Sequence, residues 1–540
     1  MKQAALLIVA VIAVSASAAT FPTDEQTIVH VLSRAGFGAR PGDVERVRSV
    51  GIQRYLDEQL HPERIDDARM IARLDGLTTI GLSSRQIADQ YEMPQLEARR
   101  QKKQDAKGND AAPSDPSTGL GTGGKQPPDA MQLRANSVMV ELSEQKLLRA
   151  VYSERQLQEV LTDFWFNHFN VDARKGADRF LLTEYERDAI RPRVLGRFRD
   201  LLGATAKSPA MLFYLDNWMS ADPNGPHLPD NAGRPRIVRG PFGGRVMMPP
   251  PPRAAKANQG KNAPRGLNEN YGRELMELHT LGVDGGYTQK DVTEVARALT
   301  GWTIDKPRQG GGFVFNPRIH DPGQKVVLGH VIKAGGGESD GEQVLDILAR
   351  HPSTARFIAT KLVRRFVSDV PPPALVERVA ARFRDTDGDL REVMRTILTS
   401  PEFLGPGSYR AKVKTPFEFV VSALRATGAE VQDARPLVRE MQQLGMPLYM
   451  CQPPTGYKDT ADAWVNTGAL VSRMNLALRL AGGQLRGTAV DASAIRSPQS
   501  AIDGFLFGDA SDATRTTIAK ATDATKMLAL TLGAPEFQRR

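Results

Sequence analysis

From Asn268 to Trp302 the chain reads NENYGRELMELHTLGVDGGYTQKDVTEVARALTGW. This run constrains the fold more than any other. It encodes two short helices about a polar, Gly-rich turn, the first opened by Asn268 as N-cap and the second closing on Gly301-Trp302. Ala, Leu, Arg and Glu dominate the periodic segments elsewhere, and aromatic residues make up only 6% of the chain, which favours helices over sheets. Hydrophobic residues at 41% and charged residues at 25% are a globular composition. The expected fold is therefore mainly α, a multi-helical globular array with one small β-hairpin excursion near residues 313–329. At 540 residues the chain exceeds one ordinary core, so two or more helical subdomains are expected.

Residues 1–19 read as a signal peptide. Lys2 is the positive start, Ala4 to Val14 is an apolar run too short to span a bilayer, and Ala16-Ser17-Ala18 is a small-x-small cleavage pattern. No later apolar run is long enough for a membrane helix. An exported location, periplasmic or extracellular, is the expectation. Residues 20–102 form an N-terminal helical segment, with a Gly-rich turn at Arg34 to Gly38 and Asp43 as a helix N-cap. Residues 103–130 read as a disordered low-complexity insertion. The first part of the helical core covers 131–219, with a capping box from Ser153 to Gln156 and a Ser208-Pro209 helix start. A Pro-, Gly- and Arg-rich loop follows at 220–266. The second part of the core, with the hairpin around Asp321-Pro322-Gly323, covers 267–404. A C-terminal helical segment takes 405–540, opened by Thr415, Pro416 and Glu418 as N-cap, N1 proline and capping box.

Cys451 is the only cysteine, so no intrachain disulfide can form. It reads as a small packing residue rather than a nucleophile. The formal charge of +9 is mild for the length, and the arginines are scattered. An anionic polymer is a conceivable partner. Nucleic acid is a poor candidate, because the chain reads as exported and shows no aromatic-basic motif.

On the helix from Asn268, Asn270, Glu274 and Glu277 share one face, and Arg273 is spaced to pair with Glu277. Two carboxylates on one face suit acid-base work or a cation, and His279 stands near the helix end. A buried Arg-Glu network tying helices together is the plainer explanation. His168 lies among aromatics in Trp165-Phe166-Asn167-His168-Phe169, where a core histidine bonded to a backbone carbonyl is more common than a ligand. Asp216 closes a helix, and His320 precedes the Asp321 turn. Were the fold to bring them together, Glu274, Glu277, His279 and His320 would form a catalytic group, and His168, Asp216, Glu274 and Glu277 a divalent-metal site. Asn268, Asn270, Arg273 and Trp302 are given structural roles. No complete P-loop occurs, and the glycines at 119, 121 and 124 lack a flanking strand and helix.

Several longer segments recur together in a known family. They are HVLSRAGFG and PGDVERV near the start, LTDFWFNHFNV at 161–171, the two halves of the 268–302 run, FNPRIHDPGQKVVLG, HPSTARFIATKLVRRFV, and QPPTGYKDTADAWVNTGALVSRMN. In these segments, spread over nearly all of 27–482, the chain resembles the exported, mainly helical bacterial family catalogued as domain of unknown function 1800. The resemblance implies helical architecture and export, and carries no reaction. Members are often encoded beside an exported protein of the phosphatase and sulfatase superfamily, so a binding or assembly partner of such a protein is the first functional expectation. A hydrolase using the Glu/His group is the second. The third is a binder of extracellular polyanion or polysaccharide through the Arg- and Pro-rich stretch at 234–265.

Overall fold

Side-chain caps start many of the helices. In the computed structural model, which describes residues 23–109, 130–225, 236–239, 245–248 and 266–540, Thr415 and Glu418 form the expected reciprocal capping box over Pro416–Ala426. Ser208 caps Pro209–Tyr214, and Asn268 accepts from the Tyr271 amide to open Glu269–Glu277. The expected leader at 1–19, most of 103–130 and most of 234–265 lie outside the described residues. The start of the expected insertion is helix, because Met93–Asn109 runs through it.

Three local expectations are corrected. Gln156 does not complete a capping box with Ser153. Its amide oxygen accepts from the Phe37 amide and its nitrogen donates to the Ala150 and Ser153 carbonyls, pinning the Gly-rich turn to the core. Asp43 is the first residue of Asp43–Val50 rather than its cap, and it pairs with buried Arg425 at 3.1 Å. The β excursion is two ribbons, not one hairpin. Trp302–Ile304 pairs antiparallel with Phe313–Phe315, and Lys325–Val327 with His330–Ile332, so the Asp321 turn links ribbons instead of closing one. Within the expected loop 220–266, Arg236–Arg239 pairs with Arg245–Met248.

Apolar helix faces meet in a main core that runs from Ile28 to Phe537, and a second, small cluster groups Ile87, Ala135, Val138 and Phe180. Trp165, Trp302, Phe169 and Phe198 are among its largest fully buried side chains. Ala130–Tyr152, Gln156–His168, Pro352–Phe366 and Pro416–Ala426 carry the segments that position the site described next. Among the described residues no helix is long and apolar enough to cross a membrane.

Candidate functional site

The helix from Asn268 stops at Glu277, four residues before the apolar pattern ends, and His279 falls on a tight turn whose amide bonds back to the Glu274 carbonyl at 3.2 Å. Arg273 donates to Gln289 at 2.7 Å and forms no ion pair with Glu277, which accepts from the Tyr287 hydroxyl at 3.3 Å. Burial first, then the charge of Glu277, holds the Glu274 carboxyl above its ordinary value. Asn270 is exposed, and Trp302 is buried in its ribbon. Asp216 sits in left-handed backbone (φ 60°) and pairs with Lys175 at 2.9 Å on the surface. His320 belongs to a separate buried cluster with Lys325 and Asp340. Among the described residues no group of three or more His, Cys, Asp or Glu side chains is placed to hold a metal ion. The expected convergence therefore reduces to two neighbouring pairs: Glu274 with Glu277, and His168 with His279.

The second pair leads to a different site. His168 closes Gln156–His168, and its Nε2 lies 3.1 Å from the His279 carbonyl. A carbonyl only accepts, so Nε2 carries the proton and Nδ1 is a free acceptor. Lys361 donates to it, with its Nζ 2.8 Å away. Burial, then the charge of Lys361, keeps His168 well below its ordinary value, so the imidazole stays neutral. His279 is held to about 3 by the same two causes. No carboxylate lies within ion-pair distance of Lys361 among the described residues. Burial drives its ammonium down to about 8; Asp459 opposes this and Arg364 adds to it.

Lys361 stands on the wall of a cavity of about 350 Å³. Pro352–Phe366 presents Lys361, Arg364 and Arg365 at helical spacing, and Gln156–His168 presents Asp163, Asn167 and His168. The loop from Met446 to Thr460 forms the opposite wall with Tyr449, Cys451, Tyr457 and Asp459. Asn167 clamps this loop with both side-chain polar atoms, donating to the Tyr457 carbonyl at 2.8 Å and accepting from its amide at 2.7 Å. Gly456 (φ 74°) allows the approach, since a Cβ there would overlap the Asn167 carbonyl. Asn170 ties down the same loop through the Cys451 and Pro453 carbonyls, each at 2.9 Å. Tyr449 adopts left-handed backbone (φ 61°) in the cavity wall, its hydroxyl 2.7 Å from Glu186. A bulky residue in that region signals stored strain.

Five cationic side chains and two carboxylates line the cavity. Lys146 pairs with Asp163 at 2.7 Å and faces the rings of Phe166 and Tyr449. Arg365 pairs with buried Glu418 at 2.6 Å and lies 3.5 Å from Asp459. Nε of Arg364, Nε and Nη2 of Arg365 and Oδ2 of Asp459 are buried without hydrogen-bond partners. Unspent donors and excess positive charge in a half-open cavity suit an anion. The Cys451 thiol is pushed up to about 11 by burial and the nearby Asp172, so it is not a ready nucleophile.

Reading the sequence missed Lys361, Arg364, Arg365, Asp163, Tyr449 and Asp459. A signal for several of them was present. Three of the recurrent segments, at 161–171, 351–367 and 452–475, supply most of the cavity wall. The family model described as "Protein of unknown function (DUF1800)" matches residues 30–539, and the chain belongs to that family. No curated protein and no solved structure matches it.

Proposed function

We propose that this member of the family binds a small anionic ligand, a carboxylate or a sulfate or phosphate ester, in the cavity beside Lys361. One observation carries the reading. Among the described residues Lys361 meets an imidazole and no carboxylate, on the wall of a cavity richer in cations than in carboxylates. Buried charges are ordinarily paired, and a bound anion would supply the missing partner through charge-assisted hydrogen bonds. This reading keeps the anionic-partner expectation and moves it from the 234–265 stretch to the cavity. Calorimetric titration of the full chain with sulfate, phosphate and succinate tests it. Saturable binding of at least one is expected, weaker above about pH 8 where Lys361 loses its proton, and lost in Lys361→Met and Arg364→Gln. No binding to wild type, or equal binding to Lys361→Met, refutes it.

A second reading has its own support. Leu470, Val471 and Leu478 stand 45%, 54% and 46% exposed on Thr467–Ala481, the helix after the cavity loop. Exposed aliphatic side chains on one helix suit a protein partner. An exported phosphatase- or sulfatase-like protein is the partner we propose, from the family's gene neighbourhood. Co-elution of the purified pair, abolished by Leu470→Glu with Val471→Glu, tests it; separate elution of the wild-type pair refutes it.

A further inference from the structure

The cluster around His320 takes no part in the cavity, and its chemistry is complete in itself. Lys325 Nζ lies 2.6 Å from Asp340 Oδ2, and both side chains are 0% exposed. Lys325 also donates to the Asp321 carbonyl. His320 Nε2 lies 3.2 Å from the same Asp340 oxygen, and its Nδ1 lies 2.7 Å from the Thr300 carbonyl. That carbonyl only accepts, so Nδ1 carries a proton. Nε2 and Oδ2 then face each other as two lone-pair atoms unless a proton sits between them. Passing one proton from Nζ to Oδ2 places it there, leaves the net charge of the cluster unchanged and removes the desolvation cost of two buried ions. Asp340 Oδ1 has no hydrogen-bond partner. The surroundings are tight and partly aromatic. The Phe315 ring lies 5.2 Å from that of His320, a Cβ on Gly341 would strike Trp302, and a Cβ on Gly336 would overlap Oδ1.

We propose that Lys325 and Asp340 condense spontaneously into an intramolecular isopeptide bond. The amine lone pair of Nζ attacks Cγ of the protonated carboxyl. A proton from Nζ passes to the departing Oδ2, relayed by His320 Nε2. The Cγ–Oδ2 bond breaks, one water molecule leaves, and an Nζ–Cγ amide remains with Oδ1 as its carbonyl oxygen. No oxidant or cofactor enters. His320 acts as the proton relay, and Gly336 and Gly341 hold the cluster closed. The product joins the second ribbon to Glu338–Arg350 in a chain whose single cysteine permits no internal disulfide.

Intact mass spectrometry of the purified full chain, followed by a tryptic map, tests this. The expected protein is lighter than its sequence by one water molecule. It shows a branched peptide joining the Lys325 and Asp340 segments, with no cleavage after Lys325. Lys325→Arg and Asp340→Ala should carry their full masses, and freshly made His320→Gln should hold a larger unlinked fraction than wild type. Wild-type protein at full mass overturns the proposal, whether or not the variants fold. So does a water loss without the branched peptide, which marks a succinimide at Asp340-Gly341.

Discussion

Replacing Lys361 by methionine should stabilise the fold while destroying ligand binding. Burial holds the Lys361 ammonium at about 8, against 10.5 for a free lysine. At about 1.4 kcal/mol per factor of ten, carrying that charge inside costs the folded state about 3 kcal/mol. Water at the cavity mouth screens part of this, leaving about 2 kcal/mol. Methionine fills similar space without charge, and the lost hydrogen bond to His168 Nδ1 returns about 1 kcal/mol. A net gain of about 1 kcal/mol is expected below about pH 8, where the amine is charged in both folded and unfolded chains. Between about 8 and 10.5 the unfolded chain still holds the proton and the folded one has lost it. Wild type therefore gains stability as pH rises through that window, and the advantage of the variant shrinks and then reverses. Urea unfolding of both proteins, followed by circular dichroism on each side of the window, measures the difference. A variant less stable than wild type below about pH 8, or a difference that does not change with pH, refutes the reasoning. A stabilising change that abolishes binding would mark Lys361 as kept for function.

Two further changes test the cavity walls. Gly456→Ala places a Cβ on the Asn167 carbonyl at a φ of 74°; it should lower stability by about 1–3 kcal/mol and weaken anion binding, seen as a lower melting temperature and a higher Kd. Arg365→Met removes the 2.6 Å partner of Glu418 and leaves Arg540, at 3.0 Å, as the remaining ion-pair partner of that buried carboxylate among the described residues. A loss of about 3–5 kcal/mol is expected, partly recovered by adding Glu418→Gln, and a double-mutant cycle by denaturant titration checks both.

Helix starts were legible because a cap involves residues at most three apart. Thr415 with Glu418, Ser208 and Asn268 all act as their local spacing says. Ser153 and Gln156 have the same spacing and fail, for a reason that local spacing does not contain. Gln156 is needed by the Gly36–Phe37 turn, 119 residues away in sequence. The β excursion failed similarly. Asp321 is a good turn residue, yet its carboxylate is held by Arg297 at 2.7 Å and its carbonyl by Lys325, so it serves as a junction between two ribbons. Helix endings were also misjudged. The apolar pattern continues through Leu281, but the regular helix ends at Glu277, and Thr280 turns its hydroxyl onto the Leu275 carbonyl at 2.8 Å.

The candidate site was half legible, and the missing half has a physical cause. Chemistry sought within one segment favours groups of carboxylates and imidazoles, and 268–281 offers Glu274, Glu277 and His279 together. Carboxylates on one helix face repel each other, so they need distant partners to become a site. Here Glu269 is spent on Gln289 and Thr293, and Glu277 on Tyr287. The cavity is assembled the opposite way. Lys361, Arg364 and Arg365 look like an ordinary solvated basic face, and Asp163 and Asp459 like isolated acids. Only packing shows that Arg365 is spent on Glu418 while Lys361 meets an imidazole. A lysine's role is decided by whether a carboxylate reaches it, and that depends on contacts 193 residues apart in sequence. Lys325 illustrates the same point with the opposite result. Its side chain is fully buried, but a carboxylate 15 positions away reaches it at 2.6 Å. A half-buried and a fully buried lysine of one chain are thus set for different chemistry by a single contact each. At Lys361 the open contact calls for an outside anion, and at Lys325 the filled one offers an internal bond.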